Sequence, residues 1–183
     1  MELLKNGKFH RCLREAAKIV VIEGHEAGFF VCQSKSGAIF IGDVFEGNQE
    51  ELFILLENEI IEQIDANRGS FLNIGSMHFH VDPEEAVVPS TQDFQMMGLG
   101  PGNIEIIGAV DKPLGKKRKI CEVRLLVIHR TETTFYSSGE DAVEEIGRSG
   151  LDTAPKYKQV IINSILADHG FGISFYTRRI CLP

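Results

Sequence analysis

Apolar residues recur about one helical turn apart from Lys8 to Lys18, at Phe9, Cys12, Leu13 and Ala16, and this spacing predicts an amphipathic helix. The period then changes. Ala27 to Gln33 is rich in aromatic and β-branched residues, Lys35-Ser36-Gly37 supplies a turn, and Ala38 to Phe45 returns as the hairpin partner. Gly47-Asn48 breaks that pattern, after which Glu50 to Ala66 sets Leu52, Leu55, Leu56, Ile60 and Ile64 at helical spacing, predicting a long helix packed on the sheet. Phe71 to Phe79 is the next strand. Pro89-Ser90 opens a short helix to about Met97, stopped by Gly98-Leu99-Gly100-Pro101-Gly102. Ile104 to Val110 and Ile120 to Ile128 then form an expected antiparallel pair around a loop that carries Lys116-Lys117-Arg118-Lys119. A strand near Thr133 to Tyr136, an acidic helix from Glu140 to Ile146, a helix from Pro155 to Asp168 and a strand from Gly172 to Thr177 complete the pattern. With no repeat and no long linker, the simplest account is one α+β domain over residues 1–183, a mixed sheet flanked by helices.

Composition adds boundaries. The 183 residues are 43% hydrophobic and 25% charged, as in ordinary globular domains. The longest apolar runs, Leu125 to Ile128 and Ile19 to Ile22, fall far short of the roughly 18 residues a bilayer span needs. The opening segment, with Lys5, Lys8 and Arg11, lacks the order of a secretory signal, so a cytoplasmic protein is expected. Cys12, Cys32, Cys121 and Cys181 have no Cys-x-x-Cys spacing and read as buried thiols. A net charge of −7 argues against a nucleic-acid partner, and the basic cluster at Lys116 to Lys119 reads as a solvated hairpin tip.

The chemistry concentrates in two short runs. In Gly75-Ser76-Met77-His78-Phe79-His80 the histidines are two apart on a strand, so both imidazoles share one face and Phe79 points into the opposite layer. Asp93, in Pro89-Ser90-Thr91-Gln92-Asp93, supplies a third donor. Two nitrogens and one oxygen leave a tetrahedral zinc with its fourth position free for water, the pattern of a catalytic site. Glu26, in Glu26-Ala27-Gly28-Phe29-Phe30, is the candidate general base. Each piece also has an ordinary explanation. Two histidines on a strand are commonly just half-exposed, Ser90 with Asp93 is close to a capping box, and Glu26 beside Glu23 and His25 can be a loop carboxylate. Met96-Met97 is expected to pack behind Asp93, while His10, His25, His129 and His169 are expected at the surface or in packing.

Glu-Ala-Gly-Phe-Phe at a strand start, then a hairpin and helix, then His-x-His, then Pro-Ser-x-x-Asp, resembles the JAMM (JAB1/MPN/Mov34) metalloprotease family over roughly Phe9 to Ile128. The segment from 131 to 183 carries no family signature and is either an extension or the completion of the domain. The resemblance implies an MPN/JAB-like layered fold of the cytidine-deaminase type. It implies His78, His80 and Asp93 as Zn2+ ligands, Glu26 as the acid/base that takes a proton from zinc-bound water, and Ser90 as the oxyanion donor. Two departures stand out. Val81 occupies the position where family members usually have proline, and nine residues, Val81 to Pro89, separate His80 from Ser90 where seven are usual. A loop longer by two residues closes at little entropic cost. Asp82, Glu84 and Glu85 make that loop acidic.

The expected activity is hydrolysis of a peptide or isopeptide bond after the C-terminus of a ubiquitin-like or sulfur-carrier protein. A scaffold of the same fold, with weak or absent metal binding, is the alternative from a different class. A nuclease-associated branch tied to DNA repair is disfavoured by the acidic balance. Homodimerisation is compatible with the sequence but carries no motif of its own.

Overall fold

The structure, a computed structural model, describes residues 2–67, 71–81, 87–97, 103–111, 120–131, 138–149 and 155–182. After a 3-10 turn at Glu2–Lys5, helix α1 spans Gly7–Glu23. The Asn6 side chain accepts from the Lys8 and Phe9 amides at 2.8 and 3.2 Å, which satisfies two of the unpaired donors of the first turn. Gly24, at φ 74°, closes the helix in the left-handed conformation with its N–H on the Ile19 carbonyl. The helix therefore runs past the expected Lys18 and takes in the β-branched run Ile19 to Ile22. Val20 extends the buried stripe of Phe9, Cys12, Leu13, Ala16 and Ala17, and that burial outweighs the low helix propensity of the run.

Strands β1 (Glu26–Ser34) and β2 (Ile39–Gly47) form the expected antiparallel hairpin, closed by Ser34 and Ala38 around Gly37, with a register shift between Phe29 and Val31. Helix α2 (Gln49–Asn67) starts at a capping box in which the Asn48 side chain accepts from the Glu51 amide and the Glu51 carboxylate accepts from the Asn48 amide. Strand β3 (Phe71–Phe79) leads to α3 (Thr91–Met97), β4 (Asn103–Val110), β5 (Ile120–Arg130), α4 (Ser138–Arg148), α5 (Pro155–Asp168) and β6 (Phe171–Cys181). The strands make one six-stranded sheet in the order β2-β1-β3-β4-β5-β6. β3 and β4 pair in parallel, joined through α3, and the other neighbours are antiparallel, including the predicted β4–β5 pair. The result is a single mixed α+β domain. The expected strand at Thr133 to Tyr136, the Gly98–Gly102 stop, the basic cluster at Lys116 to Lys119 and the acidic loop residues Asp82, Glu84 and Glu85 lie outside the described residues.

Alternation along the strands sorts the core. Ala27, Phe29, Val31, Met77, Phe79, Ile104 and Ile106 pack with α1 on one face. On the other, Phe30, Cys32 and Ile74 pack with Leu52, Leu56 and Ile60 of α2, while Ile107, Ala109, Leu126 and Ile128 pack with α3, α4 and α5. Two sequence expectations are corrected here. Leu55 is exposed, because α2 turns Leu52, Leu56 and Ile60 inward and leaves Ile54, Leu55 and Ile61 on its outer side. Cys181 is exposed near the end of edge strand β6, in contrast to buried Cys12, Cys32 and Cys121, and all four are free thiols. Among the described residues, no helix is long and apolar enough to cross a membrane.

Candidate metal centre

The gap between the two clusters on the α2–α3 face is where the polar side chains of β3 emerge. Ile74, Ser76 and His78 share that face by two-residue periodicity, whereas Phe79 points into the α1 layer as expected and Met77 does so too. β1 can approach β3 closely here because Gly28 is the register partner of His78, and a Cβ on Gly28 would sit 2.6 Å from the Met77 carbonyl and 2.7 Å from the His78 Cβ. The chain leaves the sheet at the C-terminal end of β3, crosses through α3 and re-enters in parallel at β4. Sites in mixed sheets commonly form at such a strand end.

α3 delivers the aspartate. Its N-cap is Ser90, whose Oγ accepts from the Asp93 amide at 3.4 Å, while Asp93 Oδ2 accepts from the Ser90 amide at 2.6 Å. The capping-box explanation thus describes what Ser90 and Asp93 do locally. It also leaves Asp93 Oδ1 free to face the histidines.

His78 Nε2 lies 3.0 Å from His80 Nε2 and 3.0 Å from Asp93 Oδ1, and His80 Nε2 is 3.8 Å from Asp93 Oδ2. Zinc bonds of 2.0–2.1 Å at tetrahedral angles would place donor atoms about 3.3 Å apart, inside the range found here. The donor set therefore could hold a metal ion, one ligand atom from each residue lying within 4.8 Å of the others. His78 and Asp93 are buried and His80 is partly so, which removes the half-exposed explanation for the first histidine. A second grouping, Glu23, His25 and Glu46, is exposed throughout, as anticipated for the polar loop around His25.

Ion pairing between buried groups governs the electrostatics. Burial alone would push the His78 imidazole down, but the charge and hydrogen bond of Asp93, with Glu105 behind it, lift it well above its ordinary range. Burial pushes Asp93 up, and the same histidines overcome that and hold it below the usual carboxylate range. Glu26, at the start of β1, is raised by burial, an effect that His80 and His78 partly offset. It lines one cleft with His78, Asp93 and Gln92, walled by Leu52, Phe53 and Leu56 of α2. A second, more open cleft shares Glu26 and is lined by His25, Asn48, Glu51 and Val81.

All five residues singled out in the sequence are placed: His78, His80 and Asp93 converge, Glu26 lines a cleft with His78 and Asp93, and Ser90 caps α3 beside Asp93. One residue was missed. Glu105, on β4, is fully buried and meets His78 Nδ1 at 2.9 Å. The available signal was a carboxylate inside the otherwise apolar run Ile104 to Val110. Met97 packs in the cluster beside α3, and His129 is exposed; His10 and His169 are partly buried and contact Arg178 and Glu145. No protein-family model matches the chain, and no curated protein matches it either.

Proposed function

We propose that this chain is a zinc-dependent metallopeptidase of the JAMM type that hydrolyses a peptide or isopeptide bond after the C-terminal tail of a ubiquitin-like or sulfur-carrier protein. The observation that supports it most is the convergence of two imidazole nitrogens and one carboxylate, with His78 and Asp93 of that group lining a cleft together with Glu26. Bound there, zinc would supply Lewis acidity, polarising the scissile carbonyl and bringing the pKa of water towards about 7.

The remaining work falls to this chain's own side chains. Glu26, with its proton affinity raised by burial, accepts a proton from the attacking water and returns it to the departing amine. Ser90 accepts the Asp93 amide through its Oγ lone pair, so its O–H is left to donate to a developing oxyanion. Leu52, Phe53 and Leu56 form an apolar wall of one cleft that Glu26 lines, and His25, Asn48 and Glu51 a polar wall of the second cleft that shares Glu26. An extended peptide crossing between the two clefts would place its scissile bond at Glu26.

Metal content is the first measurement. Elemental analysis of wild-type protein should give about one zinc per chain, lost in His78→Ala. A wild type that takes up no zinc on reconstitution would favour the scaffold alternative. Where zinc is present, Glu26→Gln should keep it and lose hydrolysis of a ubiquitin-like fusion, while unchanged turnover would remove Glu26 from the mechanism.

A further inference from the structure

Behind the three donors lies a carboxylate that the hydrolytic scheme leaves without a task. Glu105 sits in the middle of β4, flanked in sequence by Ile104 and Ile106, and is completely buried. Its register partner across the parallel pair is Ser76, whose Oγ donates to Glu105 Oε1 at 2.6 Å. The same Oε1 meets His78 Nδ1 at 2.9 Å, and Oε2 is buried without a hydrogen-bond partner among the described residues. A buried carboxylate with an unsatisfied oxygen is costly, and an apolar side chain of similar size would fill the space without that cost. What the carboxylate contributes must therefore come through its contacts, and those are the back of one metal-facing ring and the hydroxyl beside it.

We propose that Glu105, steadied by Ser76, is the positioning residue of the metal centre: it holds the His78 ring with Nδ1 protonated, so that Nε2 presents its lone pair towards His80 and Asp93. An imidazole left to itself can turn about its last torsion or place its proton on the other nitrogen, and either change removes a donor from the cluster. The bond to Glu105 opposes both. A carboxylate one ring away also makes the ligating nitrogen more basic, a contribution that outer-shell partners of metal-bound histidines commonly make. The inference rests on His78, His80 and Asp93 being metal ligands.

The test uses zinc itself, with affinity measured by competition against a chromophoric chelator for wild type, Glu105→Leu, Glu105→Gln, Ser76→Ala and Ile106→Val. In parallel, nitrogen-edited NMR of the zinc-loaded proteins follows solvent exchange of the His78 Nδ1 proton. Glu105→Leu should weaken zinc binding 10- to 100-fold and abolish the slowly exchanging Nδ1 proton. Glu105→Gln should keep that proton and lose less affinity, because its amide oxygen can accept the same bond. Ile106→Val, on the opposite face of the same strand, should lower stability and leave affinity unchanged. A folded Glu105→Leu with wild-type affinity, or with its Nδ1 proton still protected, overturns the proposal. Should that variant not fold, Ser76→Ala decides: a several-fold loss supports the role and an unchanged affinity overturns it. Wild-type protein that takes up no zinc, or His78→Ala that binds as tightly, overturns the ligand assignment itself and this inference with it.

Discussion

The two faces of β3 and β4 are built from alternate residues of the same two strands, yet they obey different rules. Met77, Phe79, Ile104 and Ile106 face α1 and lie in a continuous apolar core. Ser76, His78 and Glu105 face α2 and α3, where each is held by specific polar contacts. On the first face, stability follows filled volume, and a change of side chain is felt as a cavity or a clash. On the second it follows whether each buried polar atom keeps its partner, and a bound ion can replace a proton as the group that holds the cluster together. One strand thus carries both a rigid support and a site whose energy depends on solution conditions.

The sharpest way to break that distinction is to damage the apolar face alone. Phe79→Ala removes a fully buried ring and should lower unfolding free energy by about 3–5 kcal/mol, measured by chemical denaturation. Because the ring points away from the ligands, the protein that remains folded should still take up zinc in the same ratio. Loss of zinc at full occupancy of the folded state would show that the two faces are not separable.

Zinc loading should act the other way, stabilising by about 2.7 kcal/mol at a free concentration 100-fold above the dissociation constant. Its pH dependence has a definite sign. Because His78 is held well above its ordinary value, the stability it contributes to the metal-free chain is full below the ordinary imidazole range and is lost as pH rises through the elevated folded value. Asp93 is held low, so its contribution is present above the ordinary aspartate range and is lost only as pH falls through that lowered value. Zinc must displace the His78 proton, so the increment it adds should grow as pH rises while the metal-free contribution of His78 shrinks. Thermal melts with and without zinc across neutral pH test this, and an increment that grows towards acid would contradict the ligand role of His78.

Gly28→Ala joins the two faces. The added Cβ would meet both the Met77 carbonyl and the His78 Cβ well inside contact distance, so β1 and β3 must separate. A loss of about 1–3 kcal/mol is expected together with weakened zinc binding, since His78 lies at the point of contact. A variant that loses stability but binds zinc normally would mean that the strands adjust without moving the ring.

How much of this was legible beforehand follows the range of the interaction. The strand Phe71–Phe79 and helix Pro155–Asp168 stand at the bounds their patterns predict, and the turn at Gly37 was fixed by local chemistry. The His-x-His spacing already implied a shared face, and Ser90 with Asp93 already implied a cap. The end of α1 was not legible, because β-branched residues weaken the helical signal while tertiary burial of Val20 supplies what propensity lacks. The parallel pairing of β3 with β4 leaves no local mark. Glu105 was lost for the same reason: its partners Ser76 and His78 lie 29 and 27 residues away, and only that pairing turns an anomalous charge in an apolar strand into part of a site.

Ser90→Ala has the smallest expected effect on stability and separates the two tasks assigned to one hydroxyl. As an N-cap its loss should cost about 1 kcal/mol, read from denaturation of the metal-free protein. The 3.4 Å contact to the Asp93 amide is long, which favours a modest effect, and the companion bond from the Ser90 amide to Asp93 survives the substitution. If the hydroxyl also serves the oxyanion, turnover of a ubiquitin-like fusion should fall by about 10²–10³-fold with zinc content unchanged, far more than a weakened cap can explain. Equal modest losses in stability and turnover would confine Ser90 to the helix end. Under the proposed mechanism, stabilisation of the developing oxyanion would then fall to the metal ion and not to a hydroxyl of this chain.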